Sequence, residues 1–144
     1  MNSIELAKSN LRQALERLKH AKEAVESGNY PYAVRQSQES VELALKAALR
    51  VVGVEPPKWH DVGPVIRRER HRFPNWFRRE VDSITSISRS LRNERELAMY
   101  GDEEAGIPAE ELYSIVDARR AVEDAEKVLR LVDRLLKEAL RGRG

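Results

Sequence analysis

The sequence predicts an all-α fold: an antiparallel up-and-down bundle of four or five helices in a single domain, residues 1–144. Three observations carry this prediction. Apolar residues recur three and four apart along most of the chain, the spacing of one helical face. No segment sustains the period-two alternation of a strand. The breaks fall at Gly, Pro and Asn, and most of the segments between helices are short.

The first helix is expected over residues 3–26, with Ile4, Ala7, Leu11, Ala14, Leu15, Leu18, Ala21 and Val25 on its buried face and Ser3 as a cap. Ser27-Gly28-Asn29 stops it, because Gly28 can take the left-handed conformation. A second helix runs from about Pro31 to Val52 with Val34, Ser37, Val41, Ala44, Leu45, Ala48 and Val52 inward. The short connection makes these two antiparallel neighbours. Gly53 and Pro56-Pro57 open an irregular stretch. It holds a short helix, about Asp61 to Arg70, capped by Asp61. A longer helix from about Pro74 to Gly101 presents Phe77, Val81, Ile84, Ser88, Leu91 and Ala98 on one face. An acidic loop follows at 101–108. A last helix from about Ala109 to Leu140 is lined by Leu112, Ile115, Val122, Ala125, Leu129, Val132 and Leu136, with a frayed tail beyond it.

Composition narrows the function. The 144 residues include 26 Lys+Arg, 24 Asp+Glu and no cysteine. That excludes a disulfide scaffold, thiolate metal sites and cysteine nucleophiles. No apolar run approaches the ~18 residues of a membrane span, and no signal segment opens the chain, so a cytoplasmic protein is expected. The net charge of +2 hides an asymmetry. Residues 58–79 hold seven Lys/Arg against Asp61 and Glu69, a local +5 that leaves −3 for the remainder. A local basic patch is what an anionic partner would feel.

Three groups of residues could carry chemistry. His20, His60 and His71 form no His-x-x-x-His or Glu-x-x-His pair, so neither a metal nor a cofactor is expected. His60-Asp61 resembles half of a metal phosphohydrolase pair, but helix capping by Asp61 is the simpler reading. Arg67, Arg68, Arg70, Arg72, Arg78 and Arg79 interleave with Phe73, Trp76 and Phe77. This run reads either as a nucleic-acid surface, with arginines on phosphates and aromatics on bases, or as a solvated helix end whose aromatics belong to the core. Arg89, Arg92, Asn93, Glu96 and Tyr100 cluster further on, with Arg89, Arg92 and Glu96 on one face. By spacing alone this is a salt-bridged helix.

The segment SGNYPYAVRQSQESVELALKAALRVVG at 27–53, the HDV at 60–62 and LRNERELAMYGDE at 91–103, followed by Pro108 and Tyr113, resemble the HEPN family (higher eukaryotes and prokaryotes nucleotide-binding domain) in order and spacing. The resemblance covers nearly the whole chain and implies a four- or five-helix bundle that often dimerises. Many members are metal-independent RNA endonucleases with an Arg-x(4–6)-His motif, and many are encoded beside a minimal nucleotidyltransferase as a toxin–antitoxin pair. Arg92-Asn93 matches the start of that motif and Tyr100 a tyrosine beyond it. The histidine should stand at 97, 98 or 99, where this chain has Leu97, Ala98 and Met99.

A metal-free ribonuclease needs a group to take the 2′-hydroxyl proton, and these residues supply none. The expectation is therefore a protein that binds nucleotide, RNA or a partner without cutting RNA. Arg92 and Asn93 would hold phosphate, helped by Arg89, and Arg67, Arg68, Arg78 and Arg79 would offer further contacts. A homodimer would bring two Arg92 regions to one cleft. The alternatives are a ribonuclease toxin paired with a nucleotidyltransferase, which keeps Arg92, and a purely structural bundle.

Overall fold

Every long periodic segment forms a helix in the computed structural model, which describes residues 3–58 and 61–143. The helices are α1 (Ser3–Glu26), α2 (Tyr30–Val51), α3 (Gly63–Arg68), α4 (Asn75–Arg78), α5 (Val81–Asn93), α6 (Arg95–Tyr100), α7 (Ala109–Leu112) and α8 (Ile115–Arg143), with a 3-10 turn at Arg70–Arg72. Among the described residues the sole β feature is an isolated bridge between Asp102 and Ile107. No described helix is long and apolar enough to cross a membrane.

The α1–α2 turn closes as its residues dictate. Gly28 has φ +81°, Asn29 Oδ1 accepts from Tyr32 N at 3.4 Å, and Pro31 occupies the first turn, where its missing N–H costs nothing. Small residues let α1 and α2 approach closely. Ala7, Ala14, Ala21, Ala44, Ala47 and Ala48 are buried, and Ser40 Oγ donates to the Ala14 carbonyl at 2.7 Å. α2 is the central helix. It packs on α1, α8, α5 and α6, so it buries polar residues as well: Gln36, Ser37, Gln38 and Ser40. Ser37, expected inward, is buried, but its Oγ and Gln38 Nε2 have no protein partner.

Most of the residues expected inside are buried, among them Leu18, Val41, Leu45, Ile84, Leu91, Val122 and Leu129. Leu15 is not, at 48% exposure. The buried stripe of α1 runs through Ala14 and Leu18 instead, and the tight approach at Ala14 leaves Leu15 at its outer edge. Ser3 does not cap α1. Its hydroxyl donates to the Arg50 carbonyl and ties the start of α1 to the end of α2.

Both later helices are broken where single ones were expected. The segment from Pro74 divides into α4, α5 and α6, with breaks at Arg79-Glu80 and Glu94. The last helix is interrupted at Tyr113, which is extended at φ −114°, ψ 134°. α8 then restarts with a capping box: Ser114 N donates to Asp117 Oδ2 at 2.9 Å and Asp117 N to Ser114 Oγ at 3.4 Å. It continues through the expected frayed tail to Arg143. Gly101, with φ +74°, fixes the turn after α6. A Cβ there would collide with the Ile107 carbonyl oxygen, so no other residue fits without a shift.

Candidate functional site

The basic run folds around an aromatic anchor. Phe73 and Phe77 are buried and stacked with ring centroids 4.5 Å apart, and Trp76 meets Phe77 edge-on at 5.7 Å. Trp76 Nε1 donates to Glu138 Oε2 at 2.9 Å, and the Arg134 guanidinium covers its ring at 3.9 Å. These rings are therefore core and helix-packing groups, the second of the two readings the sequence left open, and they are not placed to stack on bases. α3 packs on α5 and the 3-10 turn on α3, with the arginines left outside.

Between α3 and α5 lies a groove of about 690 Å3 lined by Arg67, Arg68, Arg70, His71 and Arg89, with Asp61 also on its wall. Arg67 is fixed from α5: its Nη1 donates to Asp82 Oδ1 at 2.8 Å and its Nη2 to Thr85 Oγ1 at 2.7 Å. Glu69 collects Arg72 at 2.8 Å, Arg68 at 3.6 Å and His71 at 3.9 Å. The Arg72 hydrogen bond and the surrounding positive charges hold the Glu69 carboxyl below its ordinary range, so it stays ionised and organises the turn. Arg70 and Arg89 have no carboxylate partner among the described residues, which leaves their donors for an anion.

Asp61 Oδ1 accepts from Gly63 N at 3.1 Å. The helix starts later than expected, so Asp61 bridges into the turn before α3 and is not itself the cap. His60, weighed as its metal-ligand neighbour, lies outside the described residues. His20 lies on α1 beside Glu16 at 3.2 Å, well apart in sequence from the arginine-rich turn. No group of described residues has the make-up of a metal site.

The residues expected to hold phosphate together are thus divided. Arg67, Arg68 and Arg89 converge on the groove. Arg78 and Arg79 are exposed and do not line it; Arg78 contacts Asn75. Arg92 points away from the groove into an ion pair with Glu42 of α2 at 2.6 Å. Asn93 is exposed, and Tyr100 is 63% exposed on α6. Of the three positions where the motif histidine could stand, Ala98 is buried and Leu97 and Met99 are exposed.

Sequence reasoning missed the partner of Arg92, because Glu42 is fifty residues away. It also missed Thr85 and Ser86 beside Arg89. Their spacing on α5, with Ser86 and Arg89 three apart, was a signal available in the sequence.

A second, smaller cleft of about 130 Å3 separates α5 from α8. There Tyr113 Oη donates to Glu94 Oε2 at 2.5 Å. Burial, reinforced by the Glu94 carboxylate, pushes the Tyr113 phenol far above its ordinary value. Burial likewise raises Asp124 on the same wall.

Comparison with known proteins agrees with this architecture. The HEPN domain model matches residues 7–135. The chain is 32% identical over 142 residues to a protein of Methanocaldococcus jannaschii named Putative toxin MJ1304, covering 94% of this chain and 91% of that one. The crystal structure of TT1696 from Thermus thermophilus superposes with a TM-score of 0.75 at 24% identity, covering 94% of this chain and 99% of that one, and shows the shared fold. From the family match and the curated relative together, the chain belongs to the HEPN domain family.

Proposed function

We propose that this protein binds RNA through the α3–α5 groove and does so without cutting it. The observation that carries this reading is the convergence of Arg67 and Arg68 from α3, Arg70 from the 3-10 turn and Arg89 from α5 on one groove. Arginine forks suit phosphate, and arginines from two walls can follow a strand on both sides. Phe73, Trp76 and Phe77 are committed to packing inside the bundle, so binding tracks the backbone rather than base identity. In this reading Arg92 belongs to the frame of the bundle, because its Nη1 is tied to Glu42 of α2.

The absence of turnover follows from chemistry. Transfer of the 2′-hydroxyl proton by a positioned side chain is typically worth ~10²–10⁴-fold in rate. Ala98, Leu97 and Met99 provide no such group beside Arg92 and Asn93, and the imidazole on the groove itself, His71, lies toward Glu69 at 3.9 Å. The experiment is a titration of labelled single-stranded RNA at several salt concentrations. Affinity should fall as salt rises, and Arg68→Ala and Arg89→Ala should each weaken binding and shallow the slope of log affinity against log salt by ~0.7. Salt-independent binding, or full affinity in both variants, would remove the groove from the function.

The Methanocaldococcus relative, named a toxin, favours a second reading, a toxin; with the family resemblance that toxin would be a ribonuclease, a homodimer held in check by a minimal nucleotidyltransferase. His71 would then be the imidazole beside the arginines. Robust RNA cleavage by clean protein, lost in His71→Ala, would replace the first reading with this one.

A further inference from the structure

We infer that Asp61 makes the groove selective for ribose: its free carboxylate oxygen accepts a hydrogen bond from a 2′-hydroxyl while the arginines hold the flanking phosphates. This rests on the reading of the groove as an RNA site and names what that site distinguishes.

Asp61 is the one carboxylate among the described residues lining the groove, and it forms no ion pair with any of the four arginines around it. Placed among phosphate binders, a carboxylate repels the ligand and weakens binding unless it meets a donor. It is half-buried and fixed: Oδ1 accepts from Gly63 N at 3.1 Å and, at 3.5 Å, from Ser88 Oγ. Oδ2 has no donor among the described residues. An ionised carboxylate only accepts hydrogen bonds. A phosphodiester offers it none, and the single sugar donor of an internal nucleotide is the 2′-hydroxyl, the group that separates RNA from DNA. Base amino groups are the competing donors. Phe73 and Phe77 are buried and Trp76 is engaged by Glu138 and Arg134, so the one aromatic ring among the described residues on the groove wall is the His71 imidazole, which lies 3.9 Å from Glu69. A sugar carried between two clamped phosphates needs no ring to stack on.

The test compares one short single-stranded RNA with the same strand bearing 2′-fluoro groups. Fluorine keeps the size and pucker of the ribose and removes its donor. The unaltered protein should bind the RNA about tenfold more tightly, the effect of one hydrogen bond to a charged acceptor. In Asp61→Asn the amide oxygen keeps the Gly63 and Ser88 contacts, and the ratio should fall to about one. The fluorinated strand should then bind at least as tightly as it does to the unaltered protein, because a repulsive charge is gone.

Equal affinity of the unaltered protein for the two strands would overturn the inference, and so would an unchanged ratio in Asp61→Asn. The first comparison needs no variant, so a poorly folding Asp61→Asn does not shield the idea. In either case, RNA affinity that still depends on Arg68 and Arg89 would leave the groove as the binding site. Failure to bind either strand would defeat both.

Discussion

The pair between Arg92 and Glu42 separates two roles for the arginine that the sequence singled out. Its nitrogen and oxygen are 2.6 Å apart, and the side chains keep 32% and 22% of their exposure. A hydrogen bond to a charged group contributes about 1.5–3 kcal/mol net when shielded, whereas fully exposed pairs contribute about 0–1 kcal/mol. At this intermediate burial a coupling of about 1–1.5 kcal/mol is expected. The perturbation is a double-mutant cycle with Glu42→Gln, Arg92→Gln and both together, which separates the pair from each residue's other contacts. Urea unfolding followed by tryptophan fluorescence reads the result. With a slope of ~2 kcal/mol per molar urea, loss of the pair should lower the midpoint by ~0.5–0.7 M at unchanged slope. RNA affinity should fall less in Arg92→Gln than in Arg89→Gln. A coupling below ~0.3 kcal/mol, within the scatter of independent sites, would refute the structural role. So would a loss of RNA binding in Arg92→Gln as large as that in Arg89→Gln.

Leu45 is fully buried on α2, so Leu45→Ala should destabilise the fold by about 2–5 kcal/mol in the same unfolding assay. Gly101→Ala should cost at least ~1–2 kcal/mol for the left-handed backbone alone, and more because its methyl would meet the Ile107 carbonyl; thermal melts check this. Because folding raises the Tyr113 phenol above its ordinary 10.0, its contribution is fully present below that value and is lost as pH climbs past it, so Tyr113→Phe should flatten the alkaline loss of stability. Glu138 has the opposite sign. The Trp76 hydrogen bond lowers it from 4.5, so stability present above that value should drain as pH falls through the depressed one, less so in Glu138→Gln.

Periodicity was enough to place α1, α2 and the body of α8, because each buries a stripe that its own sequence spells out. It did not reveal the breaks at Arg79-Glu80, Glu94 and Tyr113. The apolar rhythm continues across them, and local signals decide: Ser114-x-x-Asp117 is a start signal for α8 that the longer rhythm obscured. Leu15 failed for a related reason. Its spacing suits the buried face, but how wide a stripe is covered depends on how near the neighbouring helix comes, and Ser40 and Ala14 set that. At the site, the charge of residues 58–79 was legible, and so was the identity of the arginines. Which of them meet was not. Arg67 and Arg89 are brought to one groove by the packing of α3 on α5, while Arg92, a single turn from Arg89, is drawn to another helix by a carboxylate no local pattern announces.

The position of α2 has a kinetic corollary. A helix enclosed by α1, α5, α6 and α8 cannot release its amide protons to solvent by fraying. Its amides should exchange only when the whole domain opens, and so report global stability. The groove wall is built otherwise: α3 has six residues, the adjoining 3-10 turn has three, and the turn buries no side chain. That wall can detach in a small, frequent excursion while the rest of the molecule stays intact. An anion bridging Arg68 to Arg89 would oppose the excursion. Slowed exchange across residues 63–72 with unchanged rates in α2 would therefore be the signature of an occupied groove, legible even where the ligand leaves the average structure untouched.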